Sequence, residues 1–102
     1  MNTYTPKQKR RLDRKFSQHI LARDGRICQW CGNIDGKKDT AHIIPRTCLA
    51  LRWNECNAVC LCFRCHQIRW HKNPLEAVQW IRGYLGNTIC DELIRIANTV
   101  NN

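Results

Sequence analysis

Acidic residues are scarce in this sequence: 8 Asp and Glu stand against 17 Lys and Arg over 102 residues, a formal net charge of +9. The surface therefore prefers polyanions, and the chain is a poor match for cationic partners. No uncharged apolar run approaches the length needed to span a bilayer, so a membrane-spanning helix is excluded. The basic start, MNTYTPKQKRRLDRK, lacks the apolar core and small-residue cleavage site of a secretory signal. This leads us to expect a cytoplasmic protein. Internal repeats and low-complexity stretches are absent too. The hydrophobic fraction is an ordinary 43%, which excludes a charged disordered tail.

Eight Cys and four His are present. A domain this small makes a thin core and needs a staple, either disulfides or a metal. A reducing cytosol disfavours disulfides, so the expectation is a metal site in a single domain.

The order reads helix, knuckle, hairpin, helix, helix: a mostly helical α+β chain. Residues 1–23 form a basic helix with Thr5 as N-cap, Pro6 in the first turn and an apolar stripe of Leu12, Phe16 and Ile20. Asp24-Gly25 ends it. Residues 24–74 carry the chemistry. Cys28 to Gly36 is a tight turn, Thr40 to Pro45 and Ala58 to Leu61 are short strands, and Cys62 to His71 is a helix. Residues 75–102 hold the C-terminal helices. There Asn73 caps a helix with Pro74 in its first turn and Leu75, Val78, Ile81 and Leu85 as its apolar face. After Gly86-Asn87, a second helix presents Ile89, Leu93, Ile96 and Ala97.

Cys28-Gln-Trp-Cys31 and Cys62-Phe-Arg-Cys65 are two C-x-x-C pairs. Two intervening residues let a tight turn aim both thiolates at one ion, and two such knuckles complete a closed tetrahedral shell. The expected cofactor is one structural zinc. Cys60 is the rival ligand; Cys62 is preferred because it makes the second C-x-x-C. Cys48, Cys56, Cys60 and Cys90 then read as small buried apolar residues. A redox use of the pairs lacks the βαβ context that such motifs occupy.

His42 lies in Asp39-Thr-Ala-His-Ile-Ile-Pro-Arg46, Asn57 opens the second strand, and His66 follows Cys65 directly. AHIIPR followed by N-x-x-x-x-C-x-x-C-H, with C-x-x-C-G before it, resembles the HNH endonuclease family. The likeness is nearest to small zinc-stapled members common in phage genomes, and it covers roughly residues 24–74. The resemblance implies a ββα-metal core, a hairpin followed by a helix. It implies His42 as general base, Asn57 as the residue that pins the interstrand loop, and His66 as a ligand of a catalytic divalent ion such as Mg2+, Mn2+ or Ni2+. The substrate it implies is DNA. Phage genome-packaging machinery is a partner implied on the same ground.

One position departs from the family pattern. The acid or histidine often found just before the base is Ala41 here. Asp39, on the same side of a strand as residue 41, is the candidate substitute. His71 is a weaker one, offset from His66 by roughly 140° on a helix, and it also reads as a C-terminal helix cap. His66 has a rival role as fourth ligand of a three-Cys zinc site, and Asn54 competes with Asn57. Lys7, Arg10, Arg11 and Arg14 on the basic helix, with Arg46, Arg52, Arg64, Arg69 and Lys72 near the site, are the expected phosphate-contacting cations. Arg46 is the first choice among them. No element reads as a base-recognition helix, so weak sequence preference is expected. A non-catalytic zinc-stapled nucleic-acid-binding module is the alternative reading. Nothing in the sequence sets the oligomeric state.

Overall fold

Thr5 opens the first helix through a capping box in the computed structural model, which describes residues 3–100. The Thr5 hydroxyl accepts the Gln8 backbone N–H at 3.1 Å, and Gln8 Oε1 accepts the Thr5 N–H at 2.8 Å. Helix α1 runs Pro6–Arg23, burying Phe16 and Ile20. Its C-terminus is tied to the sheet by side chains. Arg23 donates to the Glu55 and Ala58 carbonyls, and Asp24 Oδ2 accepts the Cys60 N–H at 2.9 Å.

Strands β1 (Lys38–His42) and β2 (Ala58–Cys62) form a two-stranded antiparallel hairpin with Asp39 opposite Leu61, Ala41 opposite Val59 and His42 opposite Ala58. The first strand starts and stops earlier than the apolar pattern predicts. Past His42, Ile43 N–H still reaches the Asn57 carbonyl, but the Ile44 backbone bonds to the Asn57 side chain instead of a strand. The side-chain amide thus takes over where the ladder ends. The period-2 alternation of the hairpin gives it two faces. Ala58 packs with Phe16 and Ile20 of α1, while Ala41, Val59 and Leu61 join Cys28, Cys62 and Cys65 in a second cluster.

The chain then enters helix α2. Its first part, Arg64–Arg69, is wound as a π-helix, with the Trp70 N–H reaching back to the Cys65 carbonyl, and Trp70–Lys72 finish it as α-helix. Wide turns of this kind occur often where a helix carries function. Helix α3 (Pro74–Leu85) starts at Asn73, whose side chain accepts the Glu76 N–H, and α4 (Asn87–Val100) follows Gly86. The molecule is thus α+β and mostly helical, and among the described residues no helix is long and apolar enough to cross a membrane.

Two expectations about the packing are corrected. In α3 the buried residues are Ala77 and Ile81, whereas Leu75 and Val78 are exposed. Trp80, stacked on Trp30 at 4.9 Å, sets which face turns inward. In α4, Leu93 is buried with Ile96 and Ala97 packed beside it, but Ile89 is exposed. Of the four remaining cysteines, Cys48, Cys60 and Cys90 are buried; Cys56 is exposed in a short turn capped by Asn54.

Candidate metal centre and candidate active site

The first knuckle is a loop with no strand partner, yet it docks against β2 through one backbone bond, Gln29 N–H to the Cys60 carbonyl at 3.0 Å. Gly32, at φ 80°, supplies the left-handed residue that closes the turn after Cys31. This docking brings Cys28 and Cys31 against Cys62 and Cys65, with all four Sγ atoms within 4.8 Å of one another. A tetrahedral four-thiolate zinc shell has sulfur–sulfur edges of roughly 3.8 Å; Cys31 Sγ and Cys62 Sγ lie 3.7 Å apart. Each knuckle also folds its second N–H back onto its first sulfur, Cys31 N–H on Cys28 at 3.5 Å and Cys65 N–H on Cys62 at 3.4 Å.

The electrostatics of this cluster ask for a cation. Burial works against a thiolate at Cys28, but converging backbone N–H groups from Cys31, Cys62 and Trp30 overcome it and bring the thiol down to about 6. Burial, with the other thiols crowded around it, pushes Cys65 far up. Four sulfurs this close cannot all ionise without a cation among them. The four-cysteine cluster is compatible with a structural metal ion such as zinc. Among the described residues it is the only group of three or more Cys, His, Asp or Glu side chains placed to share an ion. Cys60 and His66 are outside it. The Cys60 thiol is raised to about 11, first by burial and then by Asp24.

A cleft of about 580 Å³ opens between α1, β1 and α2, lined in part by Asp39, His42, Arg46 and His66. The half-buried His42 ring packs 5.7 Å from Phe16. Its Nε2 lies 2.8 Å from the Arg52 carbonyl. A carbonyl only accepts, so Nε2 carries the hydrogen and Nδ1 holds the lone pair in the neutral ring. Asn57 is fully buried, and all its bonds go to the interstrand loop. Nδ2 donates to the Ile44 and Leu51 carbonyls at 3.0 Å each, and Oδ1 accepts the Ile44 N–H at 2.8 Å. The amide therefore clamps both ends of the loop that delivers the Arg52 carbonyl to His42. Asn54 caps the turn at Cys56 and does not enter this network.

Asp39 and His66 meet across the cleft. Asp39 Oδ2 lies 3.1 Å from His66 Nδ1, and both side chains are about a quarter exposed. The intervening Ala41 is 1% exposed and faces the apolar cluster around Val59 and Leu61. Position 41 is thus committed to the core, and position 39, one pleat earlier where the hairpin reaches α2, carries the carboxylate. His71 is exposed in the last turn of α2 and does not line the cleft.

The expected cations separate into groups. Arg46, exposed, lines the cleft, 3.6 Å from Asp13. Lys7, Arg10, Arg11 and Arg14 border a separate groove along α1. Arg64 and Lys72 line a recess beside the cysteine cluster, away from the histidines. Arg52 and Arg69 are committed within the protein. Arg52 makes a two-pronged pair with Asp13, at 2.9 and 2.6 Å. Arg69 lies 4.0 Å over the Trp30 ring and bonds Glu76 at 3.0 Å. Sequence reasoning passed over Lys37, which joins the cleft wall, and Lys38, whose buried ammonium is tied to the Asp35 and Gly36 carbonyls. It also passed over Asp13, whose partners are distant in sequence.

Comparison with known proteins gives no match: no protein family, no curated protein and no solved structure is significantly similar to this chain.

Proposed function

We propose that this protein is a metal-dependent endonuclease of the HNH type that hydrolyses DNA phosphodiester bonds, with a ββα-metal core stapled by one zinc at Cys28, Cys31, Cys62 and Cys65. The observation that carries the reading is the convergence of His42, Asp39 and His66 on one cleft from three separate sequence positions. In this reading His42 is the general base. Its Nε2–H is held by the Arg52 carbonyl, which leaves Nδ1 to take the proton of the attacking water. Asn57 keeps the loop, and hence that carbonyl, in place. Arg46 grips a phosphate at the cleft wall, and the cations of α1 hold the backbone of the nucleic acid nearby.

Asp39 and His66 suit a hard or borderline divalent ion: one carboxylate oxygen and one imidazole nitrogen, adjacent and about a quarter exposed, on a cleft with space for water and phosphate oxygens. Such an ion supplies Lewis-acid stabilisation of charge on the leaving oxygen. Contacts to phosphate rather than to base edges fit cutting with little sequence preference.

One observation favours the second reading, a zinc-stapled nucleic-acid-binding module without catalysis. Ala41 faces the core, so the cleft offers two protein ligands from Asp39 and His66 rather than three. Nicking of supercoiled plasmid by pure protein with added magnesium, manganese or nickel separates the two. The endonuclease cuts, and the binding module retains DNA uncut.

A further inference from the structure

Asp13 is the sole acid on a helix otherwise rich in cations, and it turns inward. Its carboxylate accepts three hydrogen bonds and faces one further cation. Arg52 Nε bonds Oδ1 at 2.9 Å, Arg52 Nη2 bonds Oδ2 at 2.6 Å, and Trp53 Nε1–H bonds Oδ1 at 2.9 Å. The Arg46 guanidinium stands 3.6 Å from Oδ2. Arg52 and Trp53 are consecutive residues of the interstrand loop, and the Arg52 backbone carbonyl is the acceptor for His42 Nε2–H at 2.8 Å. The same helix presses Phe16 against the His42 ring, and Trp53 packs against the Phe16 and Ile20 cluster. The loop is therefore held twice, from inside by Asn57 and from α1 by Asp13.

We infer that Asp13 is a positioning residue for His42: by gripping the side chains of Arg52 and Trp53 it fixes the loop carbonyl that holds the imidazole as the Nε2–H tautomer. Helix α1 then has two jobs, its cations bordering a groove of their own and Asp13 holding the interstrand loop. A two-pronged guanidinium–carboxylate pair fits this role because it restrains orientation as well as distance. A displaced carbonyl would free the ring to exchange tautomers and to rotate away from the cleft. The inference takes its interest from the endonuclease reading, but its test does not depend on cleavage.

The test is long-range proton–nitrogen correlation NMR of the zinc-loaded full chain, at a pH where His42 is neutral. The wild type should show His42 as one Nε2–H tautomer. Asp13→Asn should give averaged nitrogen shifts for His42, whereas Asp13→Glu, which keeps the carboxylate, should restore the wild-type pattern at least in part. If Asp13→Asn does not fold, Arg52→Gln tests the same pair from the other side and Trp53→Phe removes a single donor. A wild-type tautomer pattern in the folded variants would overturn the inference, as would a wild-type His42 already averaged between tautomers. If the protein also cleaves DNA, kcat should fall ~10-fold or more in Asp13→Asn with KM little changed. A change in cleavage with an unmoved tautomer would assign Asp13 to DNA capture instead. A changed tautomer in a protein that cuts nothing would uphold the inference and count against the endonuclease.

Discussion

Asp39 Oδ2 and His66 Nδ1 lie 3.1 Å apart, joining the first strand of the hairpin to the helix that follows the second. The contact spans 27 residues of sequence and crosses the position where Ala41 turns into the core. It gives the cleft a carboxylate without placing one beside His42. On our account these two side chains hold the catalytic ion. Isothermal titration with manganese should show one weak site in the zinc-loaded protein, and Asp39→Ala or His66→Ala should each weaken it ~10-fold or more. Zinc content should be unchanged in both variants. Loss of zinc in His66→Ala would instead move His66 into the structural site.

The cysteine cluster makes a separate prediction. Purified protein should carry one zinc per chain, and Cys28→Ser or Cys65→Ser should lose it together with the cooperative thermal transition. Binding free energy at a site of this type is folding free energy, on the order of 10–16 kcal/mol in small zinc peptides. Cys60→Ser should keep the metal, because its sulfur lies outside the cluster. Elemental analysis and thermal melts check both statements.

Asn57 should matter to the fold before it matters to catalysis. Replacing it with Ala removes both the acceptor of the Ile44 N–H and the donor to the Ile44 and Leu51 carbonyls inside the protein. Buried groups left without partners cost about 1–3 kcal/mol each, so Asn57→Ala should lower stability by about 3 kcal/mol or more in denaturant unfolding. Asn54→Ala, which removes only the bond to the Cys56 N–H, should cost about 1 kcal/mol or less.

The knuckles and the first helix cap were legible because each is local along the chain. Thr5, Pro6 and Gln8 specify a helix start within one turn, and C-x-x-C specifies a turn by itself. The inward face of α3 was not legible. Leu75, Val78 and Ile81 satisfy helical spacing, and so do Ala77 and Ile81; stacking of Trp80 on Trp30 decides between them, and that contact bridges distant segments. The Asp13–Arg52 pair was hidden for the same reason, since 39 residues separate its members. The partners of Arg52 and Arg69 were hidden too, because their positive charge is visible in sequence and the residues that pair with them are not.

Asp13 also sets a pH dependence. The Arg52 hydrogen bond holds its carboxyl below the ordinary value of 3.8, with Trp53 adding to the effect and burial opposing it. A carboxyl lowered in the folded state contributes stability that is present above the unfolded value and is lost as pH falls through the folded one. Asp13→Asn should therefore be less stable than wild type at neutral pH, and the difference should shrink as pH falls below about 4. The comparison is best made on zinc-loaded protein by hydrogen exchange of the interstrand loop, because zinc release in acid would mask it in a global melt.

The central claim is that His42 acts as general base in a metal-dependent nuclease, and the conversion of supercoiled plasmid to nicked circles by zinc-loaded protein tests it most directly. We predict nicking that requires added manganese, magnesium or nickel and drops ~100-fold or more in His42→Ala, with zinc content and helicity unchanged. Absence of nicking by the wild type with every metal, or nicking that persists at the wild-type rate in His42→Ala, would contradict the account.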